Sequence, residues 1–396
     1  MIPMGKAFKF VHCADLHLGS RFKGLDAVDP AMAERMRRSI FDSFKRIVDL
    51  AIEKQADALI ISGDIYDEKN ELPSTRMWLA EQLGRLSIPV FICRGNHDSE
   101  TSWDQSIPYP DNVREFGPDI ERVAIGDDVE VLGVSYAVPH ETRNLAAMAE
   151  GTSGKFTIFC GHCDLESVTE GHPYAPCSMS DLQGRGVDYW AFGHIHKRAE
   201  VSTDPYVVYP GNIQGRNFKE TGKKGAYLVT VDSGRVASFE FIPTQTYIWE
   251  DLTVDISGKS FSDIVSDLTG KLGKDSICRM TFVGSGQLDT MLRNNPDDIR
   301  KTIASSTGCT ISGIRVATSP EVDLDARRDD MSMPAAVVRT GRAFAAKSKD
   351  EIIDLICSNK VAAKYRDHFS EMTEDELRTI VEDSTKMILA RMEVPR

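Results

Sequence analysis

The chain has 396 residues, of which 41% are hydrophobic and 27% charged, with a formal net charge of −13. This composition is typical of a globular protein large enough for two or three domains, and the acidic balance argues against a protein that coats DNA without sequence preference. No apolar stretch reaches the ~20 residues of a membrane span, and residues 1–10 lack an apolar core of signal length. We therefore expect a cytoplasmic protein with no membrane partner.

Strand and helix patterns alternate through the first part of the chain. Strands are predicted at 8–13, 58–61 and 89–93, each a short run rich in apolar residues. Helices are predicted from Asp29-Pro30 and from Pro73, because proline suits a first helical turn and apolar residues then recur at helical spacing. This order predicts a mostly parallel sheet covered by helices.

The middle of the chain adds a second set of strands. Short β runs are predicted over 121–138, a helix over 142–149, and buried strands over 156–160 and 187–192. Residues 201–231 are predicted to form hairpin strands that close a second sheet. The predicted fold class is therefore α/β, a two-sheet β-sandwich flanked by helices. Eight cysteines scattered through the chain indicate a reduced protein.

The predicted domain boundary lies near Pro243-Thr244, which ends a first domain of residues 1–243. Strand and helix patterns predict a small α+β domain over 244–318, and a charged, proline-containing linker follows over 319–333. Residues 334–396 are predicted to be helical.

The C-terminal helical segment carries two further patterns. Thr373 and Glu376 have the spacing of a capping box. One helical stripe follows them, formed by Leu377, Ile380, Val381, Ser384, Met387 and Ile388.

Polar side chains follow five of the predicted strands. They are Asp15 and His17, then Asp64, then Asn96 and His97, then His162, and finally His194 and His196. The carboxyl ends of parallel strands meet at one edge of a sheet, where α/β proteins bind ligands. Taken singly, each histidine is more often structural, but their recurrence at successive strand ends predicts a metal centre. Imidazole and carboxylate suit manganese, iron or zinc, and the Asp and Asn oxygens fit manganese best.

These residues resemble the motifs of the calcineurin-like metallophosphoesterases. The motifs are Asp15-x-His17, Gly63-Asp64-x-x-Asp67, Gly95-Asn96-His97-Asp98, Gly161-His162 and Gly193-His194-x-His196, and the resemblance covers residues 8–243. Segments 12–19 and 209–215, together with Arg94, are most similar to SbcD-type DNA repair exonucleases, a group that includes YhaO-like and meiotic-recombination-eleven-like proteins.

The resemblance implies a role for each motif residue. Asp15, His17, Asp64 and His196 would hold one metal ion, while Asp64, Asn96, His162 and His194 would hold a second, so that Asp64 bridges the pair. The implied cofactors are two divalent ions, with manganese favoured over magnesium, iron or zinc. In hydrolysis of a phosphodiester, His97 would be the catalytic acid at the leaving oxygen, and Asp98 would be the residue that orients it.

Basic residues cluster after the last of these motifs. Between Lys197 and Lys224 the chain has six basic and three acidic residues, which predicts either a rim that tracks phosphates or a solvated loop surface. Arg21 and Lys23 are predicted to join such a rim. The predicted substrate-binding residues are Arg94, Gln214, Arg216 and Lys219.

The resemblance also implies partners. Residues 244–318 would cap the site and restrict it to DNA ends or single strands, and the C-terminal helices would dock on the coiled coil of an SMC-like ATPase of the SbcC or YhaN type. Internal packing explains the helical stripe equally well. Nuclease heads of this family often form homodimers. The implied partners are therefore DNA, such an ATPase and a second copy of the chain.

Three functions stay open at this point. The first is a manganese-dependent DNA exonuclease or endonuclease. The second is a phosphatase or phosphodiesterase acting on a small nucleotide or a phosphoprotein, although protein phosphatases of the superfamily have Asp-Arg-Gly where this chain has Asp67-Glu68-Lys69, and Glu where it has Asp98. The third is a catalytically silent scaffold that binds DNA or a partner, against which the complete ligand set and His97 argue.

Overall fold

The computed structural model describes residues 7–20, 30–67, 72–99, 106–165, 174–320 and 332–393. The chain divides into two compact units, Met1–Glu250 and Asp251–Arg396. This division falls within the strand Ile248–Asp255, a little beyond the predicted boundary. The finer domain ranges stay predictions. Asp29, Arg21, Lys23, Glu68-Lys69 and most of the predicted linker lie outside the described residues.

The first unit alternates strands and helices as far as its third strand, as the sequence pattern predicts, and consists mostly of strands beyond it. Its elements are β1 Phe8–Cys13, α1 Pro30–Glu53, β2 Ala58–Ser62, α2 Pro73–Gly84, β3 Val90–Cys93, β4 Val113–Glu115, β5 Glu121–Ile125, β6 Val129–Gly133, β7 Phe156–His162, β8 Asp164–Leu165, β9 Pro176–Cys177, α3 Met179–Leu182, β10 Tyr189–Gly193, β11 Ala199–Thr203, β12 Tyr206–Tyr209, β13 Gly225–Asp232 and β14 Arg235–Pro243.

Two six-stranded sheets contain most of these strands. The first has the order β14-β13-β1-β2-β3-β4 and the second the order β11-β12-β10-β7-β6-β5. Strand β2 lies between β1 and β3 and is parallel to both, and β7 and β10 are parallel neighbours in the second sheet. Both sheets are mixed, because antiparallel strands flank these parallel centres.

The core lies between the two sheets. Phe10, Ile60 and Phe91 from the first sheet pack in one cluster with Ile158 and Tyr189 from the second. Every residue of β2 is buried, as its apolar, β-branched run predicts. Helix α1 packs on β1 and β13. The predicted two-sheet sandwich flanked by helices is confirmed.

Two details of the predicted order are wrong. Strand β13 does not close the second sheet, because Tyr227 pairs antiparallel with His12 and the strand joins the first sheet beside β1. Of the predicted helix over 142–149, only a 3-10 turn at Ala146–Met148 forms. The carboxylate of Glu141 accepts hydrogen bonds from the backbone N–H groups of Ala137 and Arg143, which stabilises a loop where the helix was expected to begin.

The strand registers bring the predicted site residues to one edge. Cys13 of β1 is opposite Ile61 of β2, and Ser62 is opposite Cys93 of β3. In the second sheet Gly193 of β10 is opposite His162 of β7. The sheets meet at this edge, where Ser62 Oγ donates to the carbonyl of Ala191 at 2.8 Å. The residues after these five strands therefore share one rim.

The second unit contains a three-stranded sheet and helices. Its elements are β15 Ile248–Asp255, α4 Phe261–Thr269, β16 Ser276–Val283, α5 Leu288–Asn294, α6 Pro296–Thr307, β17 Thr310–Val316, α7 Met333–Ala345, α8 Lys349–Ile356, a 3-10 turn Ala362–Tyr365, α9 Arg366–Glu371 and α10 Glu374–Glu393. The sheet order is β15-β16-β17.

The C-terminal helices confirm the predicted capping box. Thr373 N–H donates to Glu376 Oε2 at 2.7 Å, and Glu376 N–H donates to Thr373 Oγ1 at 3.3 Å. The two ends of the predicted stripe on α10 differ in burial. Leu377 and Val381 are buried, whereas Met387 and Ile388 are about half exposed. Among the helices in the described ranges, none has the length and apolarity that crossing a bilayer requires.

His12 is a buried histidine at the centre of the first sheet. Its ring nitrogens lie 3.1 Å from Tyr189 Oη and 3.2 Å from Ser62 Oγ, and burial lowers its pKa from 6.5 to about 3. As the pH falls, His12 is therefore protonated at a higher pH in the unfolded chain than in the folded chain. Stability from this group is complete above about pH 6.5 and is lost as the pH falls toward 3.

We expect His12→Gln to remove this pH dependence. Between pH 6 and 4 the free energy of unfolding of the wild type should fall more steeply than that of the variant, by about 1.4 kcal/mol per pH unit. Urea unfolding at a series of pH values measures both slopes. Equal slopes would show that His12 is not the group that titrates.

Candidate metal centre

Strained backbone is concentrated at the shared rim. Positive φ angles occur at Asp15 (51°), His17 (48°), Asp64 (50°) and His194 (97°), all predicted metal ligands that are not glycine. Such conformations cost about 1–3 kcal/mol each and persist where the surrounding structure enforces them. The rim therefore holds these side chains in positions that an unconstrained loop would not adopt.

The four residues predicted for the first ion converge. Asp15, His17, Asp64 and His196 each offer one ligand atom within 4.8 Å of all the others. His17 Nε2 lies 3.0 Å from His196 Nε2 and 3.8 Å from Asp64 Oδ2. Three of the four are buried, and His196 is partly exposed.

The residues predicted for the second ion also lie together. His162 Nε2 is 3.2 Å from Asn96 Oδ1 and 3.4 Å from Asp64 Oδ2. His194 Nδ1 is 3.3 Å from the same Asn96 oxygen. Asp64 thus lies between the two groups and contacts members of both.

The donor atoms of the first group fit a divalent cation. Two imidazole nitrogens face each other, with carboxylate oxygens beside them, which is a ligand set that suits manganese, iron or zinc. Asp15 Oδ2 is buried, and no described residue donates a hydrogen bond to it. Since buried carboxylate oxygens are normally satisfied, this oxygen is best explained as a cation ligand.

The charge balance of the cluster also favours a cation. Burial by itself raises the pKa of Asp64, but the neighbouring rings of His162 and His17 outweigh it and hold that pKa well below its usual range. Burial likewise opposes protonation of His162, yet the Asp64 charge raises its pKa to about 9. The Asp64 carboxylate and the His162 imidazole thus favour each other's charged forms. A divalent ion would replace the imidazole proton.

Glycines let the strand ends approach one another. A Cβ on Gly63, whose φ is +82°, would lie 2.3 Å from His162 Nδ1. A Cβ on Gly95 would lie 2.3 Å from Asp64 Oδ1 and 2.7 Å from the His162 ring. Only glycine leaves room for both ligands at these positions.

We expect Gly95→Ala to weaken metal binding without unfolding the protein. The added methyl must displace Asp64 and His162, and disturbing ligand orientation typically costs 10–100-fold in metal affinity. Calorimetric titration with Mn²⁺ measures the change. Gly273→Ala is the matched control, because no described atom lies within 4 Å of a Cβ there. Unchanged Mn²⁺ affinity in Gly95→Ala would contradict the close approach.

His97 lies beside the first group of ligands. Its backbone N–H donates to Asp64 Oδ1 at 3.0 Å, and its side chain is 28% exposed. Its Nδ1 is 3.4 Å from Asp67 Oδ1, which is also 3.6 Å from His17 Nδ1. Asp67 therefore lies against the Nδ1 edge of the His97 ring, which is partly exposed to solvent.

The structure places Asp98 away from the predicted role of orienting His97. Its carboxylate accepts hydrogen bonds from Ile65 N–H at 2.6 Å and Gly95 N–H at 2.7 Å. Burial and the charge of Asp64 raise its pKa to about 7. Asp98 therefore joins the loops after β2 and β3, and Asp67 is the carboxylate that faces His97.

Two of the four predicted substrate-binding residues are held by the protein itself. Gln214 is buried, and its Oε1 accepts from Thr246 N–H at 2.8 Å while its Nε2 donates to the Tyr247 carbonyl at 2.9 Å. It is therefore structural. Arg94 Nε lies 2.7 Å from Glu115 Oε1, so this side chain is paired within the protein, and its role in binding substrate stays a prediction.

The other two differ in accessibility. Arg216 lies near the ligands, but its guanidinium is bound to Glu220 at 2.9 Å and to Ser20 Oγ at 3.2 Å. Lys219 is exposed. The predicted basic rim is also incomplete, because Lys224 is buried and donates to the His196 carbonyl at 2.8 Å.

The sequence reasoning missed Glu220, whose carboxylate contacts His196. It lies in the same stretch as the basic residues and is one of the three acidic residues there. The sequence signal that could have indicated Glu220 is its position as a single acidic residue between the basic residues Arg216 and Lys224.

The sandwich fold and the Asp/His cluster at its strand ends define a metallophosphoesterase. The chain belongs to the calcineurin-like phosphoesterase family, whose model matches residues 8–198. It is similar to YhaO of Bacillus subtilis (strain 168), an uncharacterized metallophosphoesterase, with 36% identity over 280 residues, 67% of this chain and 68% of that protein.

Two archaeal proteins described as DNA double-strand break repair protein Mre11 are also similar. The protein from Sulfolobus acidocaldarius is 24% identical over 283 residues, which is 67% of this chain and 70% of that protein. The protein from Aeropyrum pernix is 28% identical over 272 residues, which is 63% of this chain and 64% of that protein.

Proposed function

We propose that this protein is a nuclease that hydrolyses phosphodiester bonds in DNA with two divalent ions, manganese being favoured. The observation that carries the proposal is the convergence of two ligand groups on Asp64, with His97 beside them. Similarity to the two Mre11 proteins supports DNA as the substrate over a small phosphoester.

The exposure of the site residues indicates where the substrate enters. Asp15, His17, Asp64 and His162 have almost no exposed side-chain surface, whereas His97 and His196 are 28% and 29% exposed. A phosphodiester therefore reaches the centre from the side of His97 and His196. Lys197 follows His196 and is exposed, so a cation is available to the flanking phosphates.

Each side chain has a distinct part in the proposed reaction. Bound divalent ions would neutralise the phosphate charge and lower the pKa of a water nucleophile. Asp64 and the histidines would supply the atoms that hold the ions. Asp67 lies against the Nδ1 edge of the His97 ring and positions it. His97 then supplies a hydrogen bond or proton to the departing sugar oxygen.

A coiled-coil ATPase partner is part of the proposal. In the second unit, α7, α8 and α10 line a groove of about 530 Å³ with side chains such as Phe344, Leu355 and Ile380. Met333, Met387 and Ile388 are 71%, 56% and 50% exposed beside it. Exposed apolar residues around an apolar groove support docking of an amphipathic helix there.

One experiment separates the candidate activities. The full chain is incubated with Mn²⁺ and end-labelled single- or double-stranded DNA, and in parallel with p-nitrophenyl phosphate, with and without a candidate ATPase. DNA cleavage that EDTA abolishes and Mn²⁺ restores supports the nuclease. Monoester hydrolysis without DNA cleavage would favour a phosphatase. Mn²⁺ binding without turnover in any of these assays would favour a scaffold.

A further inference from the structure

After His196, the last predicted ligand, the chain returns to the metal centre. Segment 212–224 directs four polar side chains toward His196 or its neighbours, namely those of Asn212, Arg216, Glu220 and Lys224. Of these, Glu220 is only 7% exposed although it is a carboxylate. A buried charge of this kind is retained where its partners satisfy it.

Both carboxylate oxygens of Glu220 accept hydrogen bonds. Oε1 lies 3.0 Å from His196 Nδ1 and accepts from Arg216 Nη2 at 2.9 Å. Oε2 accepts from Asn212 Nδ2 and from the Arg216 backbone N–H, each at 2.8 Å. Arg216 Nη2 also lies 3.2 Å from His196 Nδ1, but its shorter contact, at 2.9 Å, is the bond that it donates to Oε1. An ionised carboxylate can only accept, so its 3.0 Å contact with His196 places the imidazole proton on Nδ1. Nε2 then presents its lone pair.

That lone pair faces the predicted ligands. His196 Nε2 is 3.0 Å from His17 Nε2 and 4.0 Å from Asp15 Oδ1. The backbone of His196 is held as well, because its carbonyl accepts from Lys224 Nζ at 2.8 Å and from Asn212 N–H at 3.3 Å. Segment 212–224 thus holds both the ring and the main chain of His196, and Nε2 points away from that segment toward His17 and Asp15.

We propose that Glu220 is a positioning residue for the metal centre, which fixes the tautomer and orientation of His196 through Nδ1. This inference rests on the proposed metal centre but not on DNA as the substrate. Glu220 itself contacts no ion in this arrangement, since both of its oxygens are engaged by His196, Arg216 and Asn212. Partners of this kind typically contribute 10–100-fold in metal affinity.

Glu220→Gln tests the proposal with almost no change in size. The glutamine NH₂ group can replace either carboxylate oxygen, and in both positions it faces groups that also donate. At the Oε2 position these are Asn212 Nδ2 and the Arg216 backbone N–H. At the Oε1 position they are His196 Nδ1 and the Arg216 guanidinium. We expect Mn²⁺ to bind 10–100-fold more weakly in calorimetric titration of the full chain. Glu220→Asp is the second variant, and it also weakens Mn²⁺ binding because its carboxylate is withdrawn by one methylene.

Glu130→Gln is the matched control. Glu130 is another buried glutamate, which accepts from Arg122 at 2.6 Å and Thr157 at 2.9 Å in the second sheet. Its loss perturbs packing but leaves Mn²⁺ affinity unchanged. Thermal unfolding followed by circular dichroism reports the folded state of every variant.

A double-mutant cycle with His196→Ala decides whether Glu220 acts through His196. In that background Glu220→Gln should change Mn²⁺ affinity by less than about twofold, because the group it positions is gone. An equal loss in both backgrounds, or wild-type affinity in folded Glu220→Gln and Glu220→Asp, would overturn the proposal. A wild type that binds Mn²⁺, responds to Glu220→Gln and leaves DNA intact would contradict the nuclease function and support the role of Glu220.

Discussion

Asp64→Asn is expected to abolish hydrolysis while the protein stays folded. Asp64 Oδ2 lies 3.8 Å from His17 Nε2 and 3.4 Å from His162 Nε2, so one carboxylate belongs to both ligand groups. Metal ions contribute several kcal/mol to stabilising a phosphoryl transition state, and each 1.4 kcal/mol is tenfold in rate. Phosphodiester hydrolysis should therefore fall on the order of 10³-fold or more.

Folding should survive because the amide keeps one existing contact. Asp64 Oδ1 accepts from His97 N–H at 3.0 Å, and an asparagine oxygen can accept the same bond. Metal content by mass spectrometry should fall for both ions together, from two per chain to fewer than one. Asp188→Asn is the control, since that carboxylate accepts from Thr157 N–H at 2.8 Å outside the rim. Two ions retained in Asp64→Asn would contradict a shared ligand.

The sequence predicted the ligand groups because their signal is local. Each ligand follows a short buried strand, and parallel strands bring such positions to one edge whatever the details of the loops. The position of Asp64 after β2 could be read from the apolar run before it and the glycine beside it. The same logic placed His162 and His194 at the ends of neighbouring strands.

The partners of those ligands could not be predicted, because they depend on how loops return in space. Asp98 is adjacent to His97 in sequence, yet its carboxylate binds backbone N–H groups of two different loops. Asp67 reaches His97 from a loop after another strand. Gln214 looks like a loop residue near the site, but its amide holds the chain at Thr246 and Tyr247. Hydrogen-bond partners far apart in sequence leave no periodic pattern.

The place of β13 in the first sheet, between β14 and β1, was missed for a related reason. Its apolar alternation predicts a strand with one buried face but does not specify which sheet it joins. Tyr227 and Val229 pack into the core between the sheets, and the strand pairs with β1. As a result, segment 212–224 crosses between the sheets, from the second-sheet strand β12 to β13 beside β1. This crossing brings Glu220 and Lys224 to His196.

His97→Ala is expected to keep the metal ions and lose cleavage. The side chain is not a member of the two predicted ligand groups, although its ring nitrogen clusters with Asp67 and His17. Its Nδ1 lies toward Asp67, and 28% of its surface is exposed. Removal of a general acid typically costs 10²–10⁴-fold in rate. Mn²⁺ affinity should remain within about threefold of the wild type, since no ligand atom is removed. DNA cleavage and Mn²⁺ titration on the same preparation measure both quantities.

The dependence on the leaving group distinguishes acid catalysis by His97 from a general disturbance of the site. A sugar oxygen departs as a strongly basic alkoxide unless it is protonated, whereas p-nitrophenolate is weakly basic and departs without help. His97→Ala should therefore slow DNA cleavage far more than it slows hydrolysis of bis(p-nitrophenyl) phosphate. His368→Ala, on the second unit, is the control and should change neither rate. An equal loss on both substrates would mean that His97 organises the site instead of assisting the leaving oxygen, because only proton donation distinguishes the two leaving groups.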